Sequence, residues 1–305
     1  MESGMRILIT GGSGFVGQAL CRRLITDGHR VQVVSRDPAQ ARLRLPEGVD
    51  VRRSALDFVD TPPAALVNLA GEPIAGKRWS EAQKERLLDS RLDATRELVQ
   101  LCEQLKASHG HAPSVLVSAS AMGYYGDQGE TVVTEETPPH DEFAHRLCQR
   151  WEEAAEGVTA FGTRLAILRL GLVLDAGGGM LQRLLPPFKL GLGGRLGDGT
   201  QFMPWVHRQD LVNAILLLLE RDDLQGAFNG SAPHPVTNAV FTRLLARHLH
   251  RPALLPVPAK ALEIGLGEMS RLLLTGADMR PARLEEAGFA FRFPTLEEAL
   301  TDILG

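Results

Sequence analysis

Gly11-Gly12-Ser13-Gly14-Phe15-Val16-Gly17 lies between the apolar run Arg6-Ile7-Leu8-Ile9-Thr10 and a stretch, GFVGQALCRRLITDG, whose apolar residues recur at helical spacing until Gly28. Glycines between a strand and a helix let the backbone turn tightly and approach a ligand closely. The first-turn amides and the positive end of the helix dipole there suit a pyrophosphate. The alternative is a glycine-rich turn that has kept its shape without a ligand. At the end of the next strand, VQVVSR, the sequence reads Ser35-Arg36-Asp37. An NAD site usually places an acid here for the ribose hydroxyls. Arg36 instead can stack on adenine and pair with a 2′-phosphate, with Ser35 donating to it, so NADP(H) is expected and NAD is the lesser choice. In the competing reading Asp37 takes the ribose and Arg36 is a solvated surface charge.

A second group follows the run SVLVSAS at 114–120. Ser118 and Ser120 stand at the carboxyl end of an expected parallel strand, beside the crevice where ligands bind in open α/β sheets. The competing reading is a strand-end serine that caps nearby backbone. Tyr124 and Tyr125, the only tyrosines, come directly after. His145 and Arg146 lie on the helix expected from about Phe143 to Glu156, where either could supply a proton or a positive charge, a histidine suiting proton transfer near neutrality, but a helix face turned to solvent is the more ordinary place for them. His207 and Asp210 are read as structural, with Asp210 capping the helix that starts at 208. Arg183, Lys189 and Arg195 either bind a diphosphate or stand solvated in a loop. Glu135, Glu136 and Asp141 read as a surface turn, and Arg271, Arg280 and Arg283 as helix surface.

The elements that must position these groups alternate. AALVNLAG at 64–71, SVLVSAS and RLAILRLGLVL at 164–174 are apolar runs with the length of buried strands, separated by helical stretches. Strand and helix in alternation predict an α/β fold, a doubly wound parallel sheet, over residues 1–174 with further sheet elements near 205–230. Residues 175–305 begin with a glycine- and proline-dense segment and end in a mostly helical tail, and are expected to hold the substrate. The 305 residues are 44% hydrophobic and 23% charged, an ordinary composition for a folded protein. A net charge of -4 offers no broad attraction for nucleic acid or an anionic membrane. Cys21, Cys102 and Cys148 are too dispersed for a zinc site or disulfide framework, so no metal is expected and the thiols read as reduced. The start MESGMRILITGGSG leaves no room for a secretory segment and no later run reaches membrane-spanning length, which places the expectation in the cytoplasm.

TGGSGFVG at 10–17, NLAG at 68–71 and Ser118-Ala119-Ser120 with its following Tyr-Gly together resemble the extended short-chain dehydrogenase/reductases of the sugar-nucleotide epimerase and dehydratase type. SRLDATREL at 90–98, the block LPPFKLGLGGRLGDGTQFMPWVHRQDL at 185–211 and PVTNAVFTRLLARHLHRPALLPVPAKAL resemble an atypical subgroup, the epimerase family proteins with a C-terminal domain of unknown function. The likeness spans essentially the whole chain. It implies a Rossmann core that binds NADP(H), with cofactor contacts at Gly11, Gly12, Gly14, Phe15, Val16, Ser35, Arg36, Leu69, Ala70 and Arg91, and with Ser13, Asn68 and Gly71 of the same motifs counted among them. It also implies a small-molecule substrate of the nucleotide-sugar type, and a homodimer as the assembly to look for.

The departure from the family is as informative. Its enzymes pair a tyrosine with a lysine four residues later, which lowers the phenol pKa for proton transfer. Phe143-Ala144-His145-Arg146-Leu147-Cys148-Gln149-Arg150-Trp151-Glu152 carries neither, and none of Lys77, Lys84, Lys106, Lys189 or Lys260 follows a tyrosine at that distance. The resemblance makes Ser120 the counterpart of the family's catalytic serine. Tyr124, Tyr125 and His145 are then the candidates to replace the missing pair, although a phenol with pKa about 10 and no cation beside it is a poor base. Two functions stay open: an NADP-dependent oxidoreductase or nucleotide-sugar epimerase with non-standard catalytic residues, and a non-catalytic NADP(H)-binding sensor.

Overall fold

In a computed structural model, residues 4–305 are described. Arg6–Thr10 (β1) runs into the glycine turn and Phe15–Thr26 (α1), followed by Arg30–Val34 (β2), Pro38–Arg42 (α2), Asp50–Arg52 (β3) and Ala65–Asn68 (β4). The long helix Glu81–His109 (α3) starts at Ser80, whose hydroxyl accepts from the Gln83 amide, and stops at Gly110 in the left-handed region, φ 78°. Val115–Ala121 (β5), Val132–Val133 (β6), Phe143–Glu156 (α4), Arg164–Leu170 (β7) and Leu172–Leu174 (β8) come next. Then follow Gly179–Lys189 (α5), Phe202–Met203 (β9), Trp205–His207 (β10), Arg208–Glu220 (α6), Gly226–Gly230 (β11), Val236–Thr237 (β12) and Asn238–His248 (α7). The tail carries Ala259–Leu266 (α8), Arg271–Leu274 (α9), Asp278–Met279 (β13), Ala282–Glu286 (α10) and Leu296–Leu304 (α11).

Seven strands form one sheet in the order β11-β7-β5-β4-β1-β2-β3, and every neighbouring pair is parallel. The order reverses between β1 and β4, which opens a crevice at their carboxyl ends. Central strands in such a sheet are covered on both faces. Ile7, Leu8 and Ile9 are accordingly all 1% exposed or less. On one face Leu20, Cys21 and Leu24 of α1 pack with Leu211, Ile215 and Leu218 of α6 against Ile7, Ile9, Val31 and Val33. On the other, Leu98, Leu101, Cys102 and Leu105 of α3 cover Leu8, Leu66 and Leu116. The fold is the expected α/β three-layer arrangement.

The run 164–174, read as one strand, is two. At Gly171 the amide bonds to the Gly230 carbonyl at 3.0 Å, and the next amide, Leu172, turns to the Pro204 carbonyl at 2.7 Å. A Cβ on Gly171 would lie 2.6 Å from that carbonyl, so glycine is required for the crossing. The chain thereby leaves the main sheet to pair β8 with β10, and seeds a second core of Leu181, Phe188, Trp205, Phe241, Leu296 and Leu300. It then returns, because α6 and β11 belong to the first body. Among the described residues no helix is long and apolar enough to cross a membrane. The leading residues 1–3 of the start lie outside the described part.

Candidate functional site

The glycine turn is held from three sides. Gly11 has φ +72°, and a Cβ there would lie 2.5 Å from the Leu69 carbonyl oxygen. A Cβ on Gly12 would lie 2.6 Å from Val33 Cγ2, and one on Gly17 would lie 2.6 Å from Gly12 Cα. The amide of Gly14 bonds to the Gly11 carbonyl at 3.0 Å. Gly14 then caps α1 with no side chain, and no acid occupies the first turn, so the amides of Phe15 and Val16 have no internal acceptor. That is an anion cradle, and it fits a dinucleotide pyrophosphate. Phe15 is pinned by Arg208, whose Cζ lies 4.9 Å from the ring and whose guanidinium pairs with Asp175 at 2.7 Å. Gly178 packs against the same ring, with Phe15 Cε2 2.9 Å from where a Cβ would be, so the loop leading into α5 rests on the glycine turn.

Two residues expected beside the cofactor sit differently from one another. Asn68 is fully buried: it accepts from Thr10 Oγ1 at 2.6 Å and donates to Thr95 Oγ1 at 2.9 Å and Ser118 Oγ at 3.3 Å. Thr10, Asn68 and Ser118 occupy one register row across β1, β4 and β5. Asn68 thus supports the crevice floor from beneath, while Leu69, Ala70 and Gly71 lie partly exposed or exposed above it. Arg91 lies close against Gly71 and donates to the Leu87 and Glu72 carbonyls at 2.8 and 3.2 Å, with Cζ 5.0 Å from the Trp151 ring. Burial lowers its pKa, and among the described residues it forms no ion pair. At the tip of β2 the Asp37 carboxylate accepts the Gln40 amide at 3.1 Å and caps α2. Ser35 Oγ donates to the Asp37 carbonyl at 3.1 Å, and Arg36 is exposed.

Beyond β5 a second polar row crosses the sheet, with Ser120, Arg169 and Asn229 opposite one another on β5, β7 and β11. Glu152 of α4 reaches onto this row. Ser120 Oγ donates to Glu152 Oε1 at 2.6 Å, and Arg169 donates from Nε to Oε1 at 2.9 Å and from Nη2 to Oε2 at 2.8 Å. Arg169 Nη1 also donates to the Tyr125 hydroxyl at 3.0 Å, which itself donates to Asn229 Oδ1 at 2.6 Å. Burial alone would depress the Arg169 guanidinium, but its bonds to Glu152 hold it above its ordinary value. Tyr125 is fully buried, and that burial pushes its phenol up to about 12.

The absence of a nearby cation, read from the sequence, does not survive folding. Arg169 Cζ lies 3.3 Å from the centroid of the Tyr124 ring. His145 also meets that ring, edge to face at 5.2 Å, and its Nδ1 bonds to the Tyr124 carbonyl at 2.7 Å. His145 is 9% exposed, so it lies on the inner face of α4, whereas Arg146 is outside and pairs with Asp141 at 2.6 Å. Facing Gly123 in the turn just after β5, four residues apart on α4, are Ala144 and Cys148. Burial drives the Cys148 thiol up to about 11, so it stays protonated near neutrality.

Glu152, Arg169 and Asn229 were missed as site residues. A signal existed: Arg169 interrupts an otherwise apolar strand run, RLAILRLGLVL, where a buried charge demands a partner. Other expectations are corrected. Asp210 does not cap α6, which is capped by His207 Nδ1 accepting from the Gln209 amide at 3.1 Å; Asp210 instead accepts the Arg292 and Phe293 amides, each at 2.9 Å. Glu135 is no solvated turn acid, since its carboxylate accepts the Asn229 amide at 2.8 Å on the edge strand β11. Arg280 lies outside any helix and pairs with Asp278 at 2.6 Å. Among the described residues no group of three His, Cys, Asp or Glu side chains could hold a metal ion.

A doubly wound parallel sheet whose first strand feeds a glycine turn and an uncapped helix defines a Rossmann-fold protein of the dinucleotide-binding class. Residues 7–229 match the model of the NAD dependent epimerase/dehydratase family, and the chain belongs to it. Residues 257–303 match a domain of unknown function, DUF1731. The epimerase family protein SDR39U1 of Mus musculus is 36% identical over 304 residues, covering 98% of this chain and all of that protein. The crystal structure of the human epimerase family protein SDR39U1 with NADPH superposes with a TM-score of 0.88 at 34% identity, covering 98% of this chain and 99% of that one. A nucleoside-diphosphate sugar epimerase from Corynebacterium glutamicum gives a TM-score of 0.78 at 30% identity, covering 99% of this chain and 59% of that one.

Proposed function

We propose that this protein binds NADP(H) across the carboxyl ends of β1, β2 and β4 and acts as an oxidoreductase or epimerase on a small polar substrate of the nucleotide-sugar type. The observation that carries the reading is the cradle: an uncapped α1 whose first-turn amides are free, behind glycines that admit no side chain. The human relative crystallised with NADPH supports the choice of dinucleotide, and the C. glutamicum relative supports the substrate class. When bound, NADP(H) would donate or accept the hydride that such chemistry moves. Gly11, Gly12 and Gly14 admit the pyrophosphate, and Phe15 and Val16 present amides to it. Ser35 and Arg36 receive the 2′-phosphate, while one oxygen of the Asp37 carboxylate caps α2. Leu69, Ala70 and Gly71 border the bound dinucleotide, and Arg91 adds positive charge there. Residues 175–305 close the substrate side, and the place of action is the cytoplasm.

Tyr124 is the candidate acid or base at the reacting end, partly exposed with the Arg169 cation against its ring. Ser120 orients it indirectly, through Glu152 and Arg169. A second reading, an NADP(H) sensor without turnover, is favoured by one observation: the hydroxyls of Ser120 and Tyr125 are both bonded internally, and both residues are 1% exposed or less. Titration with NADPH and NADH, followed by a screen of nucleotide sugars and carbonyl compounds for a change in reduced-nicotinamide absorbance and, because epimerisation returns its hydride and leaves no net absorbance change, for epimerised product by chromatography, tests both. NADPH binding at micromolar concentration with turnover of any of these compounds is expected. Binding without turnover across the screen establishes the sensor, and no binding of either dinucleotide ends both readings.

A further inference from the structure

The geometry points to Arg53, at the carboxyl end of β3, as a second guanidinium for the 2′-phosphate that distinguishes NADP(H) from NAD(H); this rests on the dinucleotide reading above. β2 and β3 are parallel, with Val34 opposite Arg52. The ladder continues one step beyond both strands, because the Ser35 amide donates to the Arg52 carbonyl at 3.0 Å. Ser35 therefore stands beside Arg53 at roughly the 5 Å spacing of neighbouring strands. Arg36 is the next residue, so two arginines share one corner of the sheet, at the strand ends where ligands bind in this fold.

Both Arg36 and Arg53 are exposed, and among the described residues neither makes a side-chain hydrogen bond or ion pair. The polar groups around them have hydrogen-bond partners of their own. Arg52 pairs with Asp50 at 2.7 Å and lies over Phe58, its Cζ 4.5 Å from the ring. Arg42 donates to the Val51 carbonyl at 2.6 Å. The Asp37 carboxylate caps α2, and Asp57 accepts the Ser54 amide at 3.0 Å. Two guanidiniums at this corner of the sheet thus have no partner among the described residues and are open to an anion. A phosphate monoester carries close to two charges and three acceptor oxygens, enough for both planar forks at once. The ribose hydroxyl of NAD(H) offers neither.

The test is dissociation constants for NADPH, NADH and 2′,5′-ADP with the full-length protein and its Arg53→Ala, Arg53→Lys and Arg36→Ala variants. Arg53→Ala is expected to weaken NADPH and 2′,5′-ADP by roughly 10- to 100-fold while leaving NADH unchanged. Arg53→Lys should recover part of that loss, since it keeps the charge and loses the fork. Arg53 is exposed and unbonded, so the variants fold, and an unchanged thermal melt checks it. If the parent protein prefers NADPH and Arg53→Ala keeps the preference, or weakens both dinucleotides equally, the role of Arg53 is overturned while the cofactor reading stands. A parent protein that binds neither dinucleotide overturns both.

Discussion

The Arg169 guanidinium meets the Glu152 carboxylate through two hydrogen bonds, 2.9 and 2.8 Å, with side chains only 6% and 10% exposed. Removing one partner of such a pair strands the other charge without water, which typically costs about 3–5 kcal/mol, whereas replacing both with apolar groups costs far less. Glu152→Gln is expected to lose stability of that order in urea denaturation, and the double variant Glu152→Met/Arg169→Met to recover most of it. A single-variant loss below about 1 kcal/mol would show that the pair is not the anchor of this row.

Tyr125 gives a direct spectroscopic check. In a Tyr124→Phe variant it is the sole tyrosine, and burial places its phenol at about 12 against an ordinary value near 10. Tyrosinate absorbance should then rise late, with its midpoint well above 10. Because the native state keeps this proton through a window where the unfolded chain releases it, the stability involved is complete below pH about 10 and lost as pH climbs toward 12, on the order of 2 kcal/mol. Tyr125→Phe should flatten that alkaline loss. A normal titration midpoint would mean that the phenol reaches water.

The glycine turn predicts an order of damage. A Cβ on Gly17 would sit 2.6 Å from Gly12 Cα, whereas one on Gly14 would meet only the Gly11 carbonyl oxygen, at 3.1 Å. Gly17→Ala is expected to cost about 1–3 kcal/mol, lowering the melting temperature by roughly 2–4 °C per kcal/mol. Gly14→Ala should cost less, and finding it the more damaging of the two in a thermal melt would contradict the geometry of the turn.

The three thiols should be silent in the native protein. Burial pushes Cys21 to about 12 and Cys102 and Cys148 to about 11, so the reactive thiolate is scarce near neutrality. A disulfide reagent such as DTNB should label none of them until denaturant is added, and then all three. Prompt labelling of the native protein, mapped to Cys148, would show that α4 opens toward solvent.

Much of the scaffold was legible because its causes are local. Near-continuous apolar runs such as Ile7-Leu8-Ile9 mark strands covered on both faces, and glycines between a strand and a helix mark a turn that side chains would block. The bounds of α4 and α6 follow from periodicity in the same way. The break at Gly171 was not legible, because it depends on Pro204 and Gly230, which arrive from elsewhere in the chain. Asp210 looked like a cap by position, yet its partners are amides more than 80 residues away.

The sequence by itself determined the parallel sheet, the anion cradle and the loss of the Tyr/Lys pair, since each depends on neighbours in the chain or on residue type alone. Only the tertiary structure decided which polar groups are spent and which are free. Ser120, Arg169 and Asn229 become one row through strand register, and Glu152 meets them because α4 packs over that row. Buried charges choose partners by proximity in three dimensions, and a run of residues carries no record of which strand will lie beside it.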